Sequence, residues 1–125
     1  MRYINRLLLV ILILGATVIV GCAAKVEKYG QTISNYQITA VKDIFAETKN
    51  FEGKTVTIEG KITNECSTGC WFFVKIAQGN LSIYVDTGKS GFAIPQYTGR
   101  KVLVEGVVLV KKSGPMIQAK GVEVR

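Results

Sequence analysis

Five short segments after Gly53 alternate apolar and polar residues, and this period of two constrains the fold more than any other feature of the chain. In the first segment, TVTIEGKIT, Val56, Ile58 and Ile62 alternate with polar side chains, as in a strand with one buried face. The other four segments are CWFFVKIA at 70–77, LSIYVD at 81–86, RKVLVEGVVLVKK at 100–112 and MIQAKGVEV at 116–124. Glycine-rich and polar turns separate them, so the sequence predicts a row of β-strands.

The order of these segments is that of a small closed barrel. Five strands, with a longer connection at 87–99 between the third and the fourth, occur in this order in an OB-fold. Gly60 and Gly106 fall in the middle of the two long strands, where a barrel strand bends or carries a bulge. We therefore predict an all-β, five-stranded, OB-fold-like barrel over residues 38–125. Two packed sheets of another small β topology are the alternative.

One segment before the strands has a helical period instead. Within TAVKDIFAETKNFEGK at 39–54, Val41, Ile44 and Phe45 follow the spacing i, i+3, i+4. Thr39 is placed to cap the first turn. The sequence therefore predicts a short N-terminal helix ahead of the barrel.

The N-terminus carries the pattern of an export signal. Two arginines precede an apolar run over residues 7–20, and a glycine stands directly before Cys22. The stretch VIVGC resembles the lipobox of bacterial lipoproteins, in which the cysteine is acylated and becomes the new N-terminus. We predict a lipoprotein signal peptide over residues 1–21 and lipidation at Cys22. A transmembrane anchor and an uncleaved signal are the alternatives, although the run is short for a membrane span.

Residues 22–37 are predicted to be a lipid anchor followed by a tether. The sequence KVEKYGQTISNYQ at 25–37 shows no hydrophobic period, and about a dozen flexible residues reach roughly 20 Å. An extra edge strand in TISNYQI is the alternative. Removal of the two arginines with the signal lowers the formal charge from +7 to +5. The domain is then expected at the cell membrane or the outer membrane, facing away from the cytoplasm.

Cys66 and Cys70 are separated by three residues in NECSTGCWFF. The intervening STG fits a three-residue hairpin loop with Gly69 in the left-handed conformation, and we expect both thiols to point inward, close enough for a disulfide. An oxidising compartment favours that bond. A metal site and a redox pair are the alternatives. Two thiolates suit copper(I), but zinc wants four ligands, and a hairpin tip offers little to lower the pKa of a thiol.

The motifs around this pair resemble a family of exported, poorly characterised bacterial OB-fold proteins. The similarity covers about residues 53–110. The residues that carry it are Cys66, Gly69, Cys70, Trp71, Gly91, Phe92, Pro95, Glu105 and Gly106. The resemblance implies the barrel fold and export. It implies no chemistry, because the family has no settled function.

A candidate binding face follows from the alternation. If the even-numbered residues of the second strand fill the barrel, Trp71, Phe73 and Lys75 point outward, with Lys61 and Tyr84 on the neighbouring strands. Aromatic and basic side chains on the outer face of OB-fold strands stack on bases and follow phosphates, and sugars or peptides use similar surfaces. The alternative is structural, in which the predicted helix or the tether covers the rings.

The sequence offers no set of catalytic residues. It contains no histidine, so the commonest general base near neutral pH is missing, and no glycine-rich loop opens a helix to hold a phosphate. Glu59, Glu65 and Glu105 are interpreted as scattered, solvent-facing strand positions. We therefore expect neither an enzyme nor a cofactor.

The sequence predicts a lipid-anchored, non-catalytic binding module of the bacterial cell envelope. Its partners would be the membrane, through the N-terminal lipid, and an envelope polymer or protein at the face of Trp71, Phe73, Lys75, Lys61 and Tyr84. A nucleic-acid-binding OB-fold protein ranks second, because an exported protein rarely meets nucleic acid. A metal or redox module on Cys66 and Cys70 ranks third.

Overall fold

The computed structural model describes residues 25–125, so the predicted signal peptide and the predicted lipidation site at Cys22 lie outside the described residues. Among the residues described, no helix is long and apolar enough to span a membrane. The elements are β1 (Glu27–Gly30), α1 (Val41–Ala46), α2 (Thr48–Phe51), β2 (Thr55–Glu65), β3 (Trp71–Lys75), β4 (Ser82–Asp86), a 3₁₀ turn (Gly88–Ser90), β5 (Lys101–Lys111) and β6 (Gly114–Val124).

Strands β2 to β6 form a closed barrel. β2 pairs antiparallel with β3 and with β5, and β3 pairs antiparallel with β4. β4 runs parallel to β6, and the β5–β6 hairpin closes the ring. This pairing is that of an OB-fold, so the predicted all-β barrel is confirmed, and the five alternating segments of the sequence correspond to its five strands.

The inward-facing residues of each strand make one core. On β3, for example, Phe72 and Val74 are fully buried, whereas their neighbours on the same strand are not. The fully buried side chains of the barrel are Ile58, Ile62, Phe72, Val74, Ile83, Val85, Val102, Val104, Val108, Ile117, Ala119, Val122 and Val124. Full burial of a side chain of this size stabilises the fold by about 1.5–3 kcal/mol, which makes this core the main source of stability.

Gly60 in β2 and Gly106 in β5 have different structural roles. The pairing of β5 with β6 shifts register between Glu105 and Gly106, as expected of a bulge. At Gly60 the register with β5 is continuous, but an added Cβ would collide with the backbone carbonyl of Lys75. Gly60 is therefore required by the close approach of β3 rather than by a bulge.

The helical segment is shorter than predicted and is divided into two short helices, α1 and α2. α1 begins after Ala40, which has no side chain to cap it, so the expected cap at Thr39 is wrong. Glu47 leaves the helical conformation with φ −128° and ψ 47°, and this separates α1 from α2. Val41 and Ile44 belong to the barrel core. The helix therefore seals the barrel with its apolar side.

Most of the predicted tether packs against the barrel. Glu27–Gly30 forms β1, which pairs antiparallel with the end of β6. The alternative prediction of an edge strand within TISNYQI is also wrong, because the strand lies earlier in the chain. Residues 31–38, here called the strap, then run over the outside of the barrel, and Ile33 is buried. Ile38 makes only an isolated bridge to Thr57. A free tether over 25–37 is therefore wrong.

Hydrogen bonds to polar groups of the barrel strands hold the strap in place, and the sequence of the strap alone does not predict them. The backbone N–H of Gln31 donates to the Lys120 carbonyl at 2.8 Å, and the N–H of Thr39 donates to the Thr57 carbonyl at 2.8 Å. Between these points, the carboxylate of Glu105 accepts bonds from the N–H and the hydroxyl of Ser34 and from the N–H of Asn35, at 3.0–3.2 Å. Partners for a polar segment thus come from strands that lie far away in sequence.

Candidate binding face on the outside of the barrel

Three aromatic side chains on β3 and β4 form a cluster on the outside of the barrel. Trp71 and Phe73 alternate with the buried residues of β3, and Tyr84 lies directly opposite Phe73 on β4. We call Trp71, Phe73 and Tyr84 the ring cluster. Each of the three is partly exposed. The sequence-based prediction that these rings point outward therefore agrees with the structure.

The rings of the cluster pack on one another. Trp71 stacks on Tyr84 with centroids 5.8 Å apart and an interplanar angle of 27°. Phe73 meets both of them edge-on, at 6.0 Å from Trp71 and 5.5 Å from Tyr84. Offset stacks and edge-to-face pairs suit the ring quadrupoles and hold each ring in place. The cluster is therefore a preorganised aromatic surface rather than three independent side chains.

The tyrosine of the cluster keeps its proton in the physiological range. Burial, and to a smaller extent the negative charge of Asp86, raises the pKa of Tyr84. Its hydroxyl thus stays neutral and can both donate and accept a hydrogen bond. Asp86 lies opposite Trp71 at the same end of the pair of strands, and its Oδ1 accepts the N–H of Lys89 at 3.0 Å.

Exposed lysines continue the face away from the rings. Lys75 lies directly opposite Lys61, and Lys61 lies directly opposite Lys101 on its other side, so three lysines stand in line across β3, β2 and β5. We call Lys75, Lys61 and Lys101 the basic row. Within residues 25–125 the ion pairs are Lys25–Glu27 and Arg125–Glu123, and neither includes a member of this row. Sequence reasoning placed Lys61 and Lys75 on the face and missed Lys101, because only the β2–β5 register brings it there.

The covering of the rings by the helix or the tether, which was the structural alternative, does not occur. The helix turns Val41 and Ile44 into the barrel core, and the ring cluster is not part of that core. The strap makes its hydrogen bonds to Glu105, Thr57 and Lys120, which lie on β5, β2 and β6. The two outer flanks of the barrel therefore differ: within residues 25–125 the strap covers the flank of β5 and β6, and neither the strap nor the helix covers the ring cluster on β3 and β4.

Cys66 and Cys70 are joined in a disulfide with a Cα–Cα distance of 5.7 Å. Gly69 has φ 74°, the left-handed conformation predicted for this loop. Both cysteines are partly exposed, so the predicted inward direction is wrong. For Cys66 the reason is a register shift between Ile62 and Glu65, which breaks the alternation of β2 before it reaches the loop. The loop therefore stands at the rim of the barrel, next to Trp71.

The disulfide loop is fixed to the long connection between β4 and β5. The carbonyl of Gly69 accepts the hydroxyl of Thr87 at 2.8 Å and the N–H of Ile94 at 3.2 Å. Gln96 donates its side-chain amide to the Cys66 carbonyl at 2.8 Å. The two sulfurs bond each other, and within the described part of the chain no group of three or more His, Cys, Asp or Glu side chains is placed to hold a metal ion.

Two of the three glutamates that were interpreted as solvent-facing have structural partners. Glu105 is only 5% exposed and holds the strap. Glu65 accepts the N–H of Tyr97 at 2.6 Å and the hydroxyl of Thr98 at 3.0 Å, and so fixes the end of the long connection. Glu59 is exposed, as predicted. The local alternation of apolar and polar residues does not show that a glutamate binds a segment distant in sequence. The interpretations of Glu105 and Glu65 as solvent-facing were wrong for this reason.

The ring cluster lies on the outer face of β3 and β4 and lines neither of two open depressions found on the molecule. Two open depressions, of about 430 and 440 Å³, lie elsewhere on the molecule. One is lined by Gly30, Phe92 and Lys120 among others, and the second lies along Ala46–Asn50. Small molecules prefer concave sites that enclose most of their surface. An extended face with three rings and a row of lysines fits a polymer or another surface better.

Comparisons with known proteins do not show a family for this chain. No family model matches the chain, and no curated protein matches it. A solved structure, that of the hypothetical protein ygiW from E. coli, is similar with a TM-score of 0.49 and 20% sequence identity, over 71% of this chain and 90% of that one. The OB-fold class of this chain rests on its own strand pairing. Its resemblance to exported lipoproteins through Cys66, Cys70 and Trp71 stays a prediction.

Proposed function

We propose that this chain is a lipid-anchored, non-catalytic binding module of the bacterial cell envelope. The ring cluster, together with Lys61 and Lys75, contacts an envelope polymer or a protein partner. The observation that carries this proposal is that three mutually packed aromatic rings face outward, are partly exposed and are not covered by the strap, which lies over β5 and β6. Exposed aromatic groups gathered in one place are typical of interaction sites.

The chemistry of the face supports an extended partner. Stacking of a flat group on an exposed aromatic ring contributes about 1–3 kcal/mol per base in OB-folds, and sugar rings and peptide groups can use the same surface. Lys61 and Lys75 add positive charge beside the rings. A partner that is both flat in places and negatively charged in others would use both halves of the face.

We propose a non-catalytic protein because three of its carboxylates are engaged in structural hydrogen bonds. The sequence has no histidine. The carboxylates of Glu65, Glu105 and Glu123 accept hydrogen bonds that hold the long connection and the strap. These groups are occupied with structural bonds, and a general acid or base must instead be free to meet a substrate.

The proposed lipid anchor is supported by the sequence around Cys22 and by the compartment that the disulfide prefers. The small residue before Cys22 and the apolar run before it fit an acylated cysteine. The Cys66–Cys70 bond fits an oxidising environment outside the cytoplasm.

The proposal is tested by capture of partners from envelope extract on the full-length chain. Trp71→Ala with Tyr84→Ala should abolish specific capture and lower the melting temperature only slightly. Tyr36→Ala is the matched control, because Tyr36 is an aromatic residue of the strap, 49% exposed, on the other flank. Equal capture by the double variant and by the control would refute the face. A collapse of the melting temperature in the double variant would assign the rings to structure instead.

A second candidate is binding of single-stranded nucleic acid. The observation in its favour is the position of the lysines beside the ring cluster, on the strands that OB-folds use for this purpose. Its signature is an oligonucleotide affinity that falls steeply with salt. No binding at low salt would dismiss it.

A further inference from the structure

The basic row extends over a fourth strand. The backbone N–H of Arg125, the residue directly after β6, donates to the Lys101 carbonyl at 2.9 Å, so Arg125 stands next to Lys101. Arg125, Lys101, Lys61 and Lys75 are all exposed. Neighbouring strands lie about 4.8 Å apart, so the four cations follow one line of about 14 Å that crosses the outside of the barrel from β3 to the end of β6.

This arrangement is unfavourable for the isolated domain. Like charges that lie directly opposite each other on paired strands destabilise a sheet, and here the contact is repeated at Lys75–Lys61 and at Lys61–Lys101. The nearest carboxylate on β2 is Glu59, which lies opposite Leu103 and forms no ion pair. Glu123 neutralises part of the charge of Arg125 at 3.4 Å. The three lysines have no such partner within residues 25–125, so an external anion would relieve their repulsion.

The chain leaves the domain at one end of this line. β1 starts at Glu27, which pairs with Val124, so the preceding residues, Lys25 and Val26, emerge beside Arg125. Only five residue steps separate Glu27 from Cys22. Even fully extended, they reach about 17 Å. The strap and β1 thus remove the long tether that the sequence suggested and bring the basic row close to wherever Cys22 is held.

We propose that the basic row docks on the anionic headgroups of the bilayer in which the lipid on Cys22 is inserted. This inference rests on the lipid anchoring in the proposed function and adds an orientation to it. In this orientation Lys75, Lys61 and Lys101 contact lipid headgroups, so docking assigns Lys61 and Lys75 to the membrane instead of the partner. The ring cluster stands at the edge of the docked surface and remains open to a partner from the side. Each lysine near an anionic surface contributes about 1 kcal/mol, so the three lysines favour the docked over the undocked domain by about 100-fold.

The test follows the accessibility of individual lysines on the full-length chain, produced in bacteria and reconstituted into vesicles. The probe is an uncharged amine-acylating reagent, and labelling rates are measured by mass spectrometry. Vesicles of pure phosphatidylcholine are compared with vesicles that contain phosphatidylglycerol. Lys42, Lys49 and Lys54 are internal controls, because they are exposed and Lys54 lies seven residues before Lys61, about 23 Å along the strand direction.

The expected result is that Lys61, Lys75 and Lys101 are labelled up to about 100-fold more slowly in anionic than in neutral vesicles, while the three controls are labelled at equal rates. Salt at 1 M should remove the protection, because it shortens the Debye length to about 3 Å. Because the docked bilayer shields one side of the ring cluster, Lys61→Gln, Lys75→Gln and Lys101→Gln together should increase the quenching of Trp71, the one tryptophan of the sequence, by an aqueous quencher. The same three changes at Lys42, Lys49 and Lys54 should not.

Three results would overturn the docking. They are equal protection in neutral and anionic vesicles, equal protection of the control lysines, and stronger protection by inorganic polyphosphate in detergent than by anionic vesicles. The last result would make a soluble polyanion the occupant. Failure of the full-length chain to float with neutral vesicles would instead refute the lipid anchor of the proposed function. Partner capture is measured in detergent and depends on Trp71 and Tyr84, so its outcome is independent of these results.

Discussion

Two outer flanks of this barrel, that of β5 and β6 and that of β3 and β4, consist of similar strands but differ in what covers them. On the flank of β5 and β6, the strap covers the strands, and the carboxylates of Glu105 and Glu123 are 5% and 3% exposed, with partners from the strap. On the flank of β3 and β4, the strap does not lie over the ring cluster, and within residues 25–125 the aromatic contacts of its three side chains are with one another.

The difference separates stability from binding. Polar groups on the covered flank are buried and satisfied, so their removal should cost folding free energy. Side chains on the open flank are partly exposed, so their removal should cost little stability and affect what the surface contacts. The following predictions test that division, from the largest expected effect to the smallest.

Neighbouring phenylalanines on β3 give the sharpest test. Phe72 fills the barrel and is fully buried, whereas Phe73 belongs to the ring cluster. Phe72→Ala should lower the free energy of unfolding by about 3–5 kcal/mol. Phe73→Ala should lower it by about 1 kcal/mol, since it loses mainly ring–ring contacts. Urea denaturation measures both, and equal losses would show that the ring cluster is part of the core.

Removal of the carboxylate that holds the strap should have the next largest effect. Glu105→Ala leaves the N–H groups of Ser34 and Asn35 without their acceptor, and we expect a loss of about 3 kcal/mol. Hydrogen exchange of residues 31–38 should accelerate at the same time. Glu59→Ala is the matched control on an exposed strand position, with an expected change within about 0.5 kcal/mol. A similar loss in both variants would contradict the role of the strap.

The disulfide should stabilise the domain moderately. Its loop is short, with a sequence separation of 4, and the chain-entropy model gives about 2 kcal/mol for a loop of this size. Cys66→Ala with Cys70→Ala should therefore lower the melting temperature by roughly 10 °C. A reducing agent should lower the melting temperature of the natural chain and leave that of the variant unchanged. Two free thiols in the chain purified from its envelope would instead favour the metal or redox alternative.

The contact between Tyr29 of β1 and Tyr97 of the long connection should make the stability of the domain depend on pH. Burial and the hydroxyl contact with Tyr97 raise the pKa of Tyr29 to about 12 from 10.0. Because the unfolded chain loses this proton first, stability is present in full below pH 10 and falls as the pH rises toward 12. Tyr29→Phe should reduce that fall in a series of urea titrations between pH 9 and 12. Tyr84 and Tyr36, whose pKa values are also raised, leave part of the slope in place.

The barrel was predictable from the sequence, and the covered flank was not. Alternation in residues 55–63 and in the other segments reports which face of a strand is buried, so the strands, the core and the outward direction of Trp71 and Phe73 followed from it. Alternation reports nothing about what lies over the outer face. The strap and the burial of Glu105 depend on contacts between residues about 70 positions apart.

The errors at the candidate site have the same origin. Lys101 joins Lys61 only through the register of β2 with β5, and a single sequence does not contain that register. The direction of Cys66 was wrong because the register shift after Ile62 interrupts the alternation on which the prediction depended. Sequence patterns therefore found the residue types of the face but not its full extent.

The position of β6 in the sheet has a consequence for the order of folding. This strand pairs with β5, with β4 and with β1, and it follows all three of them in the chain. None of its three partners can complete its pairing before Gly114–Val124 is available, and contacts between distant parts of a chain form slowly. Assembly should thus be a late, concerted event, and a nascent polypeptide that ends at the β5–β6 turn should remain sensitive to proteases.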